Sequence, residues 1–219
     1  MTVDPSTDLS TDRAEKSHAA VILAAGRGTR MGTVKALLPW GTKTLLEAWV
    51  DRLQALGVQH IVVVIGPHGP AIQTALAKRS DITWVTNPNV EESGPRESLL
   101  LGLAAIEKAG PFEAFWFTPV DTPVAGIKAL QLVAAGFEEP TTSGSPVLAA
   151  IPTYEGHRGH PVLAASRFAG LLREGEPGDR LDAVFSWATR SLREVAVADA
   201  RVGGNLNRPA DLALWAPKD

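Results

Sequence analysis

Short apolar runs rich in β-branched residues alternate along the chain with segments whose apolar positions recur every three or four residues. This alternation is typical of a parallel sheet that is covered by helices on both faces. The apolar runs predict strands over residues 19–24, 60–65, 82–85 and 114–117.

The intervening segments predict helices over residues 44–56, 98–109 and 123–135. The first places Leu45, Leu46, Trp49, Leu53 and Leu56 on one stripe and ends at Gly57, a residue suited to a C-terminal cap. Farther along, two extended segments around a Gly-containing turn predict an antiparallel hairpin within 145–165. The remaining patterns predict helices near 165–173 and 181–189, a strand near 193–197 and a closing helix from 209.

These elements predict one α/β domain, a Rossmann-like three-layer sandwich with a mostly parallel sheet and a small antiparallel hairpin. A chain of 219 residues with 45% hydrophobic content is long enough for one sizeable core. Residues 1–18 are rich in Ser, Thr and Asp and poor in large apolar side chains, so we expect a disordered tail. The domain is then expected to occupy residues 19–219.

Charge and composition narrow the class of partner. A net charge of −3 supplies no basic field for nucleic acid, and no apolar stretch approaches the roughly 20 residues needed to span a bilayer. The chain contains no cysteine, which fits a reducing compartment. We therefore expect a cytoplasmic protein with neither a nucleic-acid nor a membrane partner.

A glycine-rich loop follows the first predicted strand. Gly26, Gly28 and Gly32 leave bare backbone whose N–H groups can face an anion, and Arg27, Arg30 and Lys35 add positive charge. The P-loop pattern fails because no lysine stands at the required place, and the third glycine comes one residue late for the dinucleotide pattern. The loop therefore favours a triphosphate over a dinucleotide, although an NADP-binding oxidoreductase remains an alternative.

A carboxylate follows the fourth predicted strand. In "AFWFTPVDTPV", Asp121 lies at the carboxyl edge of the sheet, where open α/β folds bind ligands. A carboxylate at this edge can hold a Mg²⁺ ion beside the phosphates of a bound triphosphate, and Asp121 is the predicted ligand. The alternative is that Asp121 only caps a helix that opens at Pro123.

The first loop also resembles a known family. "LAAGRGTRMGTVKALLPWGTKTLLE", residues 23–47, closely resembles the LAAG-x-x-x-RMG-x-x-K-x-L-L-P-x-G-x-x-x-L-L-E signature of MobA-like nucleotidyltransferases, and looks most like the molybdenum cofactor cytidylyltransferase branch. The resemblance implies a fold of the nucleotide-diphospho-sugar transferase type. It also implies that the base and ribose are lined by Leu23, Ala24, Ala25 and Gly26, that Gly28 and Arg30 approach the phosphates, and that Lys35 binds the triphosphate and offsets transition-state charge.

Two further motifs extend the resemblance to a metal site. Asp121 stands in the P-x-D-x-P pattern whose aspartate binds Mg²⁺ in the family, and "GGNLNRPADL" resembles the closing D-x-D/N-T-P-E-D-L motif. The second metal ligand is then Asn205 or Asn207, which are asparagines where the family often has acids. An amide oxygen still binds Mg²⁺ but contributes less charge.

The middle of the chain resembles the family's nucleotide and acceptor segments. "ESGPRESLLLGL" resembles G-M-S-S-S-L-x-x-G-L, which implies base and sugar contacts from Gly94 and Ser98, although Pro95, Arg96 and Glu97 depart from the pattern. A helix start without ligand contact is the alternative. "GHRGHPVL" resembles R-x-G-H-P-V, which implies that His160 lies on the acceptor side. A metal site on the His-x-x-His pair is disfavoured, since no third ligand follows.

The resemblance implies that the chain transfers a nucleoside monophosphate, preferably CMP, from an NTP to a phosphorylated acceptor such as molybdopterin, with release of pyrophosphate. Mg²⁺ is the implied cofactor, the acceptor phosphate is the nucleophile, and a molybdoenzyme maturation protein is an implied partner. Three alternatives remain open: use of GTP or of another small phosphate, an NADP-binding oxidoreductase, and a nucleotide-binding regulator without catalysis.

Overall fold

The computed structural model describes residues 17–26, 33–141, 144–175, 181–187 and 191–217. The strands along these residues are β1 (His18–Ala24), β2 (Pro39–Trp40), β3 (Lys43–Thr44), β4 (His60–Ile65), β5 (Ile82–Thr86), β6 (Ala114–Pro119), β7 (Ala149–Tyr154), β8 (His157–Arg158), β9 (Val162–Ala165) and β10 (Leu192–Ala196). The helices are α1 (Leu45–Gln54), α2 (Gly69–Ala75), α3 (Pro95–Ala109), α4 (Ile127–Glu138), α5 (Phe168–Glu174), α6 (Leu181–Trp187) and α7 (Pro209–Trp215).

The main sheet has the strand order β10-β7-β9-β6-β1-β4-β5, with β8 paired to β7. Strand β1 lies at its centre and pairs in parallel with β4 on one side and β6 on the other, where Val21 faces Val62 and Phe117. Strand β9 runs antiparallel to both β6 and β7. The predicted α/β class, with a mostly parallel sheet and a small antiparallel hairpin, is confirmed.

The start of helix α1 is set by hydrogen bonds between Thr44 and Glu47. Glu47 N–H donates to Thr44 Oγ1 at 3.2 Å, and Thr44 N–H donates to Glu47 Oε2 at 2.8 Å, so two unpaired N–H groups at the helix start are satisfied reciprocally. The buried face carries Trp49, whose Nε1 donates to the Thr122 carbonyl oxygen at 2.8 Å. That bond fixes the turn immediately after Asp121 against the core.

Helix α3 packs unusually close to the sheet. A Cβ added at Gly102 would lie 2.5 Å from Cγ1 of Val21, closer than real side chains approach. The missing side chain thus allows α3 to lie against β1 and β4. This approach brings the start of α3 to the carboxyl edge of the sheet.

Several element boundaries differ from the sequence prediction. Helix α4 begins at Ile127, four residues after the predicted start, because Asp199 Oδ2 accepts from the Gly126 N–H at 2.6 Å and caps it from far along the chain. The alternative in which Asp121 caps this helix is therefore wrong. Helix α2 and the 3-10 turns Lys35–Leu37 and Ala200–Gly203 were not predicted.

The other predicted elements are confirmed within a few residues, the late helix near 181–189 over its described part, 181–187. Residues 1–16 of the predicted tail lie outside the described residues. Within the described ranges, no helix combines the length and apolar character that crossing a membrane requires.

Candidate active site

A cleft of about 660 Å³ opens at the carboxyl edge of β1 and β6. Most of the residues predicted for the site line it: Leu23, Ala24, Ala25, Gly26, Lys35, Gly94, Ser98 and Asp121. The parallel strands explain this gathering, because β1 and β6 end side by side and the first loop and the Asp121 turn follow them. Gly28 and Arg30 lie outside the described residues, so their predicted roles stay predictions.

Three side chains from distant parts of the chain meet at the edge of this cleft: Lys35 and Asp121, which line it, and Asn207 beside it. The Lys35 ammonium donates to Asp121 Oδ2 at 2.7 Å and to Asn207 Oδ1 at 2.8 Å. The Lys35 and Asp121 side chains are only 16% and 24% exposed, so water screens their attraction incompletely. The ammonium thus joins the loop after β1, the turn after β6 and the closing segment.

Backbone contacts hold the closing segment at this place. The buried Leu206 donates its N–H to the Asp121 carbonyl oxygen at 2.8 Å. Asp211 Oδ2 then accepts from the N–H groups of Asn207 and Arg208, both at 2.8 Å, and these two bonds lower the pKa of the Asp211 carboxyl. These bonds therefore fix the backbone of Asn207 where its side chain contacts Lys35.

The other predicted metal ligand is placed differently. Asn205 is exposed, and its side chain has no hydrogen-bond partner within the part of the chain that the structure describes. Asn207 alone of the two makes the 2.8 Å bond to Lys35. The geometry therefore favours Asn207 as the second oxygen beside Asp121.

These oxygens fit a divalent ion that protein only partly encloses. Asp121 Oδ2 and Asn207 Oδ1 both bond to one ammonium, so a single cation can reach both. Carboxylate and amide oxygens are the hard ligands that Mg²⁺ prefers, with water and substrate phosphates completing the shell. Among the described residues, no group of three or more His, Cys, Asp or Glu side chains is arranged to hold a metal ion.

A polar network that the sequence analysis missed lies on the opposite wall of the cleft. Asn87, one residue beyond β5, is 3% exposed, and its Nδ2 donates to Ser93 Oγ and Ser98 Oγ, both at 2.9 Å. The Asn89 N–H donates to Asn87 Oδ1 at 3.0 Å. A polar residue at the carboxyl end of a parallel strand was the signal that could have identified Asn87.

A second, mostly apolar cavity of about 520 Å³ adjoins the first. The two share the lining residues Leu23, Pro95 and Pro119. The rings of Phe117 and Phe185 stack in its wall with centroids 6.2 Å apart, and the predicted acceptor residue His160 also lines it. A ligand in this cavity would therefore lie next to one in the cleft.

His160 is held neutral in the wall of the second cavity. Burial lowers its pKa to about 4, although the nearby Asp121 carboxylate and a hydrogen bond with the Phe117 backbone act in the opposite direction. Its Nδ1 is buried and has no hydrogen-bond partner among the described residues. A buried ring nitrogen left unpaired is costly, and Nδ1 is too enclosed for a ligand in the cavity to reach it in this structure.

The hairpin that carries His160 touches the closing segment directly. The His160 N–H donates to the Val202 carbonyl oxygen at 2.8 Å. A Cβ added at Gly159 would lie 2.1 Å from that same oxygen, and a Cβ at Gly204 would lie 2.8 Å from Cγ of Pro123. Only glycine fits at either contact.

Arg96, one of the residues that depart from the family pattern, faces away from the cleft. Its side chain is 5% exposed; Nε donates to the Leu172 carbonyl oxygen at 2.7 Å, and Nη2 donates to the Gly175 carbonyl oxygen. Nη1 also lies 3.3 Å from Glu97 Oε1. Arg96 therefore fastens the start of α3 to the end of α5.

Comparisons with known proteins identify the family of this chain. Residues 20–195 match the MobA-like NTP transferase domain family. The chain belongs to this family, whose members are nucleotidyltransferases.

Curated relatives divide among several activities. The chain is 40% identical over 83 residues to the bifunctional protein GlmU of Caulobacter vibrioides, which covers 36% of this chain and 18% of that protein. It is 35% identical to a probable molybdenum cofactor guanylyltransferase of Rhodopirellula baltica, covering 55% of this chain and 56% of the relative. Identity is 27% to the molybdenum cofactor cytidylyltransferase of Escherichia coli, with 66% and 68% covered. The first two matches span less than two thirds of the relative's length, and no single branch stands out.

Solved structures share the fold. A nucleotidyl transferase from Methanothermobacter thermautotrophicus superposes with a TM-score of 0.73 at 23% identity, covering 91% of this chain and 96% of the other. Mycobacterium tuberculosis Rv0371c, in complex with manganese, gives 0.64 at 20% identity, with 84% and 89% covered. The 4-diphosphocytidyl-2C-methyl-D-erythritol synthase of Anaerococcus prevotii gives 0.69 at 15% identity, with 91% and 94% covered. The fold is that of the nucleotide-diphospho-sugar transferases.

Proposed function

We propose that this chain transfers a nucleoside monophosphate from an NTP to a phosphorylated acceptor and releases pyrophosphate. The observation that carries the proposal is the meeting of Lys35, Asp121 and Asn207 at the edge of a cleft that shares a wall with a second cavity. An oxygen of the acceptor phosphate attacks the α-phosphorus of the NTP, and the bond from that phosphorus to the β-phosphate oxygen breaks. Catalysis then rests on positioning and charge, without a protein nucleophile.

In this proposal the first loop and the Asn87 wall bind the nucleotide. Leu23, Ala24, Ala25 and Gly26 line the base and ribose, together with Gly94 and Ser98 across the cleft. The Lys35 ammonium binds the phosphates, with Gly28 and Arg30 as further predicted phosphate contacts. An ammonium that moves from Asp121 to a phosphate keeps a charge-assisted hydrogen bond throughout.

Asp121 and Asn207 are the residues that would hold Mg²⁺. When bound, the ion would neutralise charge that develops on the α-phosphate. The manganese complex of Rv0371c supports a divalent ion in a protein of this fold. The Lys35 ammonium, which contacts both of these oxygens in the structure, would bind the phosphates instead.

CTP and molybdopterin are the proposed substrates. The E. coli relative supports this choice by its activity, and the apolar second cavity, with His160 and the exposed Arg158 at its wall, suits a flat ring system that carries a phosphate. A cytoplasmic location and a molybdoenzyme maturation partner follow from the same proposal. Use of GTP is the second candidate, because guanylyltransferases are also among the relatives.

A thermal-shift panel tests the proposal. The four NTPs and NADPH are each added with Mg²⁺, because a ligand that binds only the native state raises its melting temperature. We expect CTP or GTP to give the largest shift, and CTP with molybdopterin to release pyrophosphate. A shift with NADPH alone would favour the oxidoreductase, and nucleotide binding without pyrophosphate release would favour a regulator; either result contradicts the proposal.

A further inference from the structure

The orientation of the Asn87 amide is fixed by a group that can only donate. A backbone N–H has no lone pair to offer, so the atom that Asn89 N–H contacts at 3.0 Å must be the amide oxygen of Asn87. The other end of the amide, Nδ2, therefore faces Ser93 Oγ and Ser98 Oγ. Asn87 is 3% exposed, so water could replace few of the bonds that a turned amide would lose.

This orientation decides what the two serine hydroxyls can still do. Nδ2 has two hydrogens and no acceptor, so each hydroxyl oxygen accepts one of them. Each serine then keeps one hydrogen of its own to donate, and neither donates it to another residue in the described ranges. Ser93 and Ser98 both line the cleft, Ser98 with only 4% of its surface exposed, so a ligand pressed against this wall could accept both hydrogens.

A wall with two adjacent donors selects among nucleotide bases. Both oxygens lie 2.9 Å from one nitrogen, so they cannot be farther apart than twice that distance. On its pairing edge, cytosine has two neighbouring acceptors, N3 and O2. On the same edge, uracil has an N–H between its carbonyls, guanine has two neighbouring donor nitrogens, and adenine has a single acceptor. A base other than cytosine that turns this edge to the wall therefore leaves at least one serine hydrogen unpaired.

We propose that Asn87 is a specificity-determining residue that sets Ser93 and Ser98 as a pair of donors for the N3 and O2 atoms of cytosine. This inference rests on the proposed function and gives its nucleotide a chemical class. Asn87 acts through the two serines and does not touch the ligand. The choice of base thus depends on the direction of two hydrogen bonds within the protein.

Asn87→Asp tests the direction of these bonds. The carboxylate has nearly the same shape, and Oδ1 still accepts from Asn89, but the second oxygen now accepts where Nδ2 donated. Ser93 and Ser98 must donate to it, so they turn lone pairs toward the cleft. We expect the wild-type chain to bind CTP at least tenfold more tightly than UTP, GTP or ATP in calorimetric titrations with Mg²⁺. In Asn87→Asp that margin is expected to fall below threefold.

Asn89→Asp is the matched control, since it adds the same charge two residues away on an exposed side chain. It is expected to weaken all four NTPs by a similar factor and to keep the preference for CTP. Ser93→Ala and Ser98→Ala each remove one donor without adding charge and test the inference if Asn87→Asp does not fold. Each is expected to weaken CTP at least fivefold more than GTP.

Two results overturn the inference: wild-type affinities for the four NTPs within threefold of one another, or an undiminished CTP preference in all three variants of the network. Pyrophosphate release separates these results from a failure of the proposed function. A chain that releases pyrophosphate from every NTP equally well keeps the function and loses the inference. A chain that binds no NTP loses both.

Discussion

Lys35 and Asp121 form an ion pair across 86 positions of sequence, with the ammonium nitrogen 2.7 Å from Oδ2 of the carboxylate. The pair joins the predicted phosphate loop to the predicted metal ligand. Asn207 completes the contact at 2.8 Å from the same nitrogen. The proposed phosphate ligand and the two proposed metal ligands are thus in direct contact with one another.

We predict that Lys35→Ala lowers NTP affinity at least tenfold, equivalent to about 1.4 kcal/mol. The reason is the loss of a charge-assisted hydrogen bond to the phosphates. The stabilisation by CTP in a thermal-shift assay is expected to disappear. Lys43→Ala is the control, because Lys43 is 54% exposed and pairs with Asp51 instead. An unchanged shift in Lys35→Ala would count against the phosphate assignment.

Asn207→Asp is predicted to tighten binding of Mn²⁺ about tenfold, because a second carboxylate beside Asp121 adds charge to the ligand set. The measurement is electron paramagnetic resonance of free Mn²⁺ titrated with the full chain, without nucleotide. Asn205→Asp adds the same charge at the exposed neighbour and is expected to change affinity less than about threefold. An equal gain in Mn²⁺ affinity in both variants would contradict the assignment of Asn207 as the second metal ligand.

Arg96→Ala is predicted to lower the free energy of unfolding by about 3 kcal/mol, since it leaves two carbonyl oxygens without their charged donor. The affected oxygens belong to Leu172 and Gly175. Arg173→Ala removes a 48% exposed guanidinium that pairs with Glu107, and is expected to cost less than about 1 kcal/mol. Urea denaturation measures both. Similar losses of unfolding free energy in the two variants would show that the buried contact of Arg96 with α5 stabilises the chain no more than an exposed ion pair does.

Acid is predicted to destabilise the chain partly through His160. Its pKa in the folded state is about 4, below the ordinary 6.5, so between these values the unfolded chain binds a proton that the folded chain does not. Stability is therefore lost as the pH falls from 6.5 toward 4, by up to about 3 kcal/mol from this residue. His160→Gln removes this titration and should reduce the loss in denaturation curves across that range. His157→Gln, at an exposed position of the same hairpin, serves as the comparison; equal losses in parent and His160→Gln would refute the assignment.

The strands and the gathering of site residues were predictable because both follow from local pattern. A buried parallel strand is a continuous apolar run, as in His60–Ile65, and residues that follow such strands meet at one edge of the sheet. The start of α1 was likewise encoded locally by Thr44 and Glu47. Sequence alone therefore placed Lys35 and Asp121 correctly in one cleft.

Contacts between segments that lie far apart in the sequence could not be predicted from local sequence patterns. The start of α4 depends on Asp199, which lies 73 positions after the helix cap it bonds to. Asn207 contacts Lys35 and Asn205 does not, in a segment that the Leu206 N–H holds to the Asp121 carbonyl oxygen. Nor does the sequence reveal that Arg96 reaches α5.

The glycine contacts of the closing segment, one with the hairpin and one with Pro123, have an evolutionary consequence. Gly159 and Gly204 admit no larger side chain without pushing that segment, and Asn207 with it, away from Lys35. Apolar positions such as Ile151 and Leu181, in the wall of the second cavity, carry no such restriction. Relatives that diverge in the molecule they modify are therefore expected to vary at the wall and to keep both glycines.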